Sequence, residues 1–115
     1  MSTRCNIHFA DERGEVEANI YRHSNGYPEG VLPDLDRFFA AVEAQTSDTR
    51  FNDPSYLAAK FVVWQAGEYA HDGQPLDFIS LGIMSADAGD GAFVYTVTCA
   101  DGYPPKRPAV ACREA

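Results

Sequence analysis

The sequence predicts an α+β domain: an antiparallel β-sheet of four to five strands with two central helices, working as an oligomer. Three observations carry this expectation. Residues 3–9 and 15–22 alternate apolar and polar side chains on either side of Asp11-Glu12-Arg13-Gly14, the pattern of a hairpin. Two stretches with apolar residues at helical spacing follow, near 32–44 and 54–70. The last third returns to strand-like composition over 76–84, 92–99 and 109–113.

In the first strand Cys5, Ile7 and Phe9 share one face and Arg4, Asn6 and His8 the other; in the second, Val16, Ala18 and Ile20 point inward. That inner face requires a cover. Pro33 early in a helix, with Asp34 and Asp36 at the positive end of its dipole, predicts the first helix, running to about Ala44. Leu32, Leu35, Phe38, Phe39 and Val42 form its apolar face. Asp53-Pro54 reads as an N-cap and first-turn proline for a second helix reaching about Ala70. Leu57, Phe61 and Trp64 make its stripe, widened by Val62, Val63 and Tyr69, which predicts burial on more than one side. The apolar run at 61–64 is also compatible with a strand, but length and caps favour helix.

Residues 76–84 and 92–99 are expected to form a second hairpin about Asp87-Ala88-Gly89-Asp90-Gly91, with 109–113 as a short edge strand. Both faces of 76–84 are apolar, with Phe78 and Met84 on one and Ile79, Leu81 and Ile83 on the other. A sheet with one solvated face alternates more cleanly. The far face therefore needs a cover, for which a second subunit is the natural candidate.

Size and composition narrow the function. The 115 residues make a single domain, 1–115, able to bury roughly two-thirds of its unfolded surface. A net charge of −8, from 17 acidic and 9 basic residues, argues against broad DNA or RNA binding, which needs a basic face. It leaves room for a small anion held by a few arginines. Cys5, Cys99 and Cys112 are odd in number and widely spaced, which points to a reducing compartment. With no membrane-length apolar run and no signal-peptide core, a cytoplasmic location is expected.

The richest chemistry lies in Tyr21-Arg22-His23-Ser24-Asn25-Gly26-Tyr27-Pro28-Glu29-Gly30, between the second strand and the first helix. Glycine and proline fix the backbone there, around side chains able to donate to an anion or a ring heteroatom. Asp101-Gly102-Tyr103-Pro104 repeats the Gly-Tyr-Pro core beside Arg107, which turn chemistry alone explains. Arginines can make bidentate contacts to phosphate, and Tyr27, Phe78, Phe93 and Tyr103 offer stacking faces. Core packing is the plainer role for Phe93.

A catalytic set is harder to assemble. His8, His23 and His71 lack the i, i+4 spacing of helical metal ligands. Strand cysteines are usually inert, and Asp87 and Asp90 sit in a glycine-rich loop where exposure is the default. Neither G-x-G-x-x-G nor G-x-x-x-x-G-K-[ST] occurs. No catalytic residue, metal or cofactor is expected.

Thr-Arg-Cys-Asn-Ile near the start, the strand ending Ile20-Tyr21-Arg22-His23, and the following Ser24-Asn25-Gly26-Tyr27-Pro28-Glu29-Gly30 resemble the first-described family of phage anti-Thoeris sponge proteins. The likeness extends over most of the chain in layout and is sharp over about residues 20–30. It implies a small symmetric oligomer, with a hexamer among the candidate sizes, that binds cyclic ADP-ribose isomers and releases them intact. Some relatives also hold cyclic oligonucleotides at separate sites. It further implies an arginine after the second strand (Arg22), an aromatic in the third (Phe78) and an arginine near the C-terminus, better matched by Arg107 than by Arg113. The family's polar residue near the last hairpin has no asparagine counterpart. Only Asp87 and Asp90 stand there, and a carboxylate beside a diphosphate is awkward.

The expected ligand-binding set is thus Arg22, His23, Asn25, Tyr27, Phe78 and Arg107, in a non-catalytic sponge for a cyclic nucleotide-type signal in the host bacterial cytoplasm. Its partners are that signal and other copies of the chain, with no membrane and no nucleic acid. The alternatives are a protein-interaction module that inhibits a host enzyme and a small phosphodiesterase acting on the same signals.

Overall fold

Strand β1 (Cys5–Asp11) is the central strand of a five-stranded sheet, and everything else is arranged around it. The computed structural model of the chain describes residues 3–70, 73, 74, 76 and 79–115. β1 pairs antiparallel with β2 (Val16–Arg22), which continues antiparallel to the short edge strand β3 (Leu81–Met84). Its other side pairs parallel with β4 (Phe93–Cys99), and β5 (Ala109–Glu114) closes that edge antiparallel. The spatial order is β3-β2-β1-β4-β5.

This corrects the all-antiparallel expectation. The sheet is mixed, and 81–84 and 93–99 are separated by β2 and β1 instead of forming a hairpin. Residues 85–92 cross over those two strands. Three inter-strand steps need about 14 Å, and eight extended residues span up to about 26 Å, so the connection reaches easily. The third strand also begins at Leu81, later than expected. Residues 71, 72, 75, 77 and 78 lie outside the described residues, and with them Phe78 and His71.

Alternation sets the two faces. Cys5, Ile7 and Phe9 are fully buried, opposite Arg22, Ile20 and Ala18. A register shift between Phe9 and Ala10 brings Val16 opposite Ala10, so Val16 is 44% exposed instead of inward. Helices α1 (Pro28–Gln45) and α2 (Pro54–Tyr69) cover this face. Phe61 of α2 meets Phe9 and Phe38 at ring-centroid distances of 5.8 and 5.3 Å, within the range of favourable aromatic pairs.

The helix starts illustrate two devices. Asp53 accepts from the Tyr56 amide at 3.3 Å, an N-cap worth about 1 kcal/mol, and Pro54 occupies the first helical position as expected. In α1 the first-turn proline is Pro28 and not Pro33, which lies inside the helix. The amide-free position next to Tyr27 therefore starts the helix one and a half turns earlier than the Pro33 signal implies. α2 is buried along one side only. Val63 is 74% exposed and Trp64 half-buried, against the expectation of burial on more than one side.

Candidate functional site

Arg22 follows from the period of β2: two residues past Ile20, it faces the helices. Its side chain is 1% exposed. Nε donates to the Ser24 carbonyl at 3.0 Å and Nη2 to the Asn25 carbonyl at 3.2 Å. Nη1 donates to Gln65 Oε1 at 3.0 Å and pairs with Asp34 Oδ2 at 2.9 Å. The guanidinium therefore ties the 23–25 turn to both helices, and its planar fork of donors suits that task. The Tyr69 hydroxyl lies buried in the same group, and among the described residues no side chain meets it with good hydrogen-bond geometry. Burial, opposed by the field of Arg22, pushes this phenol above its ordinary range.

The turn itself is rigid. Asn25 has φ 57°, a left-handed conformation that asparagine tolerates better than most residues. Gly26 crosses the start of β1 so closely that a Cβ would lie 2.8 Å from the Thr3 carbonyl oxygen. The Gly26 amide donates to that oxygen at 2.8 Å, and its carbonyl accepts from the Tyr95 hydroxyl at 2.7 Å. On this base His23, Asn25 and Tyr27 are exposed. Ser80, leading into β3, accepts from the His23 amide at 3.1 Å and lies 3.3 Å from the Ser24 hydroxyl. Four of the expected residues, Arg22, His23, Asn25 and Tyr27, are thus brought to one corner.

Arg107 is held elsewhere. Nε and Nη2 grip Glu43 at 3.0 and 2.6 Å, and Nη1 meets Asp36 at 2.9 Å. At 100° per residue, Asp36 and Glu43 lie on one flank of α1, and Asp34, the partner of Arg22, lies on the other. Arg107 and Arg22 are separated by α1 within one chain.

Sequence reasoning missed the face of the sheet turned away from the helices as a site. The alternation of β1 already assigned Arg4, Asn6 and His8 to it, but the neighbours depend on register. Asn6 stands opposite Tyr21 and His8 opposite Asn19, with Val94 and Thr96 on the β4 side. Residues 85–92 lie across this polar lattice as a strap. Asp87 Oδ1 accepts from Asn19 Nδ2 at 2.8 Å and is 2.6 Å from His8 Nε2. The hydrogen bond from His8 holds the Asp87 carboxyl below its ordinary range. Asp90 pairs with Arg4 at 3.3 Å, the Ala88 amide donates to Asn6 Oδ1 at 3.2 Å, and the Ala92 amide to the Arg4 carbonyl at 2.8 Å. These contacts of the strap are with Arg4, β1 and β2, and Ile83 and Met84 of the third strand stay exposed.

Other chemistry is sparse. Cys5 and Cys99 are fully buried, and burial pushes both thiols up to about 12, so neither offers a thiolate near neutrality. Among the described residues, no three His, Cys, Asp or Glu side chains gather as metal ligands. A groove of about 400 Å³ runs between the helices, lined by Phe38, Ala41, Tyr56, Lys60, Val63 and Trp64. A second hollow of about 390 Å³ follows the Gly102-Tyr103-Pro104 turn. Neither is lined by the described members of the expected ligand-binding set, Arg22, His23, Asn25, Tyr27 and Arg107. Among the described residues no helix is long and apolar enough to cross a membrane. The chain matches no protein-family model, no curated protein and no solved structure.

Proposed function

We propose that this protein is a non-catalytic sponge that binds cyclic ADP-ribose-type signals and holds them out of circulation. The observation that carries this is the rigid 23–27 corner, where Arg22 and Gly26 fix the backbone and leave His23, Asn25 and Tyr27 facing outward. Sequestration needs affinity and slow release, and a rigid corner lowers the ordering cost of binding. Arg22 shapes the corner from beneath. The resemblance over residues 20–30 assigns the ligand class.

The proposed assembly is a homo-oligomer. β3 is an edge strand, and residues 79–86 carry no charge in a chain of net charge −8. Ile83 is 78% exposed there and Leu76 92%. An uncharged, apolar edge favours pairing with another copy. A site that uses both the 23–27 corner and Arg107 then spans two copies, because α1 separates them in one.

The deciding experiment mixes the protein with a cyclic ADP-ribose isomer, removes the protein by filtration, and heat-denatures it. The signal should leave solution and return chemically unchanged by chromatography. A linear product would make the protein a phosphodiesterase. The second reading, a protein-interaction module, is favoured by the apolar groove between α1 and α2; absence of any depletion, with a tight host-protein complex, would establish it instead.

A further inference from the structure

The groove between α1 and α2 has the build of a small-molecule site. Its base is aromatic: Phe38 meets Phe61 and Trp64 at ring-centroid distances of 5.3 and 5.8 Å. Phe38 and Val42, four residues apart, line one wall, and Tyr56, Lys60 and Trp64, again four apart, line the other. Space remains between the walls because Ala41 on α1 and Ala59 on α2 also line them, and neither side chain is long enough to close the gap. From Phe38 to Thr46, α1 rises about 12 Å along it. The volume of about 400 Å³ falls within the range of about 300–1,000 Å³ typical of small-ligand sites.

The cations around this groove are not equivalent. At one end Arg37 lies over the Trp64 ring, 5.4 Å from its centroid, and pairs with Asp34 and Glu68. At the other end Arg50 lies over Tyr56, 4.5 Å from its centroid, and pairs with Asp48 and Asp53. Each arginine is thus matched by two carboxylates. Lys60, in the middle of the α2 row, is half-buried, and among the described residues no carboxylate forms an ion pair with it. A lysine stem commonly lies along apolar surface with its head in water. Here 17 acidic residues are available to 9 basic ones, and the ammonium that lines the groove takes none of them. The groove therefore combines apolar area with one uncommitted positive charge.

We infer that this groove binds a small apolar monocarboxylate of medium-chain fatty-acid size, its carbon body on Phe38, Val63 and Trp64 and its carboxylate on Lys60. One uncommitted cation selects one anionic group. A dianion or an acidic peptide would set its further charges against the carboxylates that hold Arg37 and Arg50. A purely apolar occupant, whether a neutral ligand or the side chains of a second copy, would cover Lys60 and leave its ammonium without a counter-charge, which is costly. The inference does not rest on the sponge function proposed above: the 23–27 corner precedes α1, and the groove begins at Phe38.

Trp64 is the chain's single tryptophan, so its fluorescence reads the groove directly. Decanoate, decan-1-ol and decylammonium, each below its micelle concentration, share one carbon body and differ in the charge of the head group. Decanoate should change the Trp64 emission saturably, at one molecule per chain, and bind about ten-fold more tightly than decan-1-ol. Decylammonium should bind more weakly than either. Lys60→Met keeps the stem and removes the charge, and should bring decanoate down to the level of the alcohol; Lys60→Arg should keep most of the preference. Ala59→Phe, at an exposed helical position, should fill the groove and abolish binding of both probes at an unchanged melting temperature. The absence of a saturable response to decanoate, equal affinity for decanoate and the alcohol, or an unchanged preference in Lys60→Met would overturn the inference. Binding retained by a folded Ala59→Phe would do the same. A smaller assembly for Val63→Glu in sedimentation equilibrium would also overturn it, by making the groove an interface between copies.

Discussion

Arg22 and Asp34 form an ion pair at 2.9 Å in which the arginine side chain is 1% exposed and the aspartate 18%. The pair joins the last residue of β2 to α1, and the Gln65 contact extends it to α2. From sequence, Arg22→Ala is expected to weaken ligand binding and leave the fold intact. The burial of Arg22 changes that expectation. Removing one partner of a buried pair strands the other and costs about 3–5 kcal/mol. Arg22→Ala should therefore lower the midpoint of denaturant unfolding strongly, and Arg22→Lys should rescue little because it cannot serve Ser24, Asn25, Gln65 and Asp34 together. Unchanged unfolding of Arg22→Ala would contradict its structural role.

Gly26→Ala tests the crossing of the turn over β1. The new methyl would lie 2.8 Å from the Thr3 carbonyl oxygen and 2.9 Å from the Arg4 carbonyl carbon, both backbone atoms. Neither can swing aside as a side-chain end would. The expected cost is about 1–3 kcal/mol, measured by thermal or denaturant unfolding. Gly67→Ala, where nothing lies within 4 Å of the added carbon, should stabilise α2 by up to about 1 kcal/mol.

Asp11 closes the β1–β2 turn. Its Oδ1 accepts from the Arg13 and Glu15 amides, each at 2.9 Å, and Oδ2 from Arg13 Nη2 at 2.9 Å. These bonds, led by that from Glu15, hold the carboxyl below its ordinary value of 3.8. A carboxyl depressed in the folded state contributes stability above its unfolded pKa and loses it as pH falls through the folded one. Stability should therefore fall as pH drops from about 4, and Asp11→Asn should show a shallower fall. Identical acid titrations of the two proteins would remove Asp11 from this role.

The proposed assembly has a direct test in Ile83→Lys. A charge at the exposed centre of β3 opposes edge pairing, and at 78% exposure it should barely affect the single chain. Sedimentation equilibrium should report a smaller species than the unaltered protein, at similar melting temperature. The same mass for both would place any interface elsewhere.

Much of the fold is legible because it is written locally. The alternation of residues 3–9, the Asp53-Pro54 cap and the apolar stripe of α2 each depend on neighbours a few residues away; the cap stands where expected, the strand two residues later, and Leu57 and Phe61 are buried while Trp64 is half-buried. The placement of 81–84 is not local. Both a hairpin and a crossing strap satisfy the same apolar pattern, and only the completed sheet distinguishes them. The burial of Arg22 was legible in principle, because Ile20 and Arg22 share a strand face; the expectation that an arginine faces solvent obscured it. The His8–Asn19–Asp87 group could be read only in half. His8 is assigned to the outer face by period, while Asp87 reaches it through a connection spanning most of the chain.

The place of β1 at the centre of the sheet also sets an order of events during synthesis. It leaves the ribosome before the other four strands of this sheet, and β2 follows at once, but its parallel partner β4 comes only after both helices and β3. Until then one whole edge of β1, with its amides and carbonyls, has no native partner, and Tyr95 is not yet present to fasten Gly26. Contacts so distant in sequence close late because the intervening chain must first be ordered. The nascent chain therefore carries an open, apolar-faced sheet edge until β4 emerges, a period in which such edges invite association. A translational stop before β4 would leave a fragment that contains both helices and still lacks a finished core.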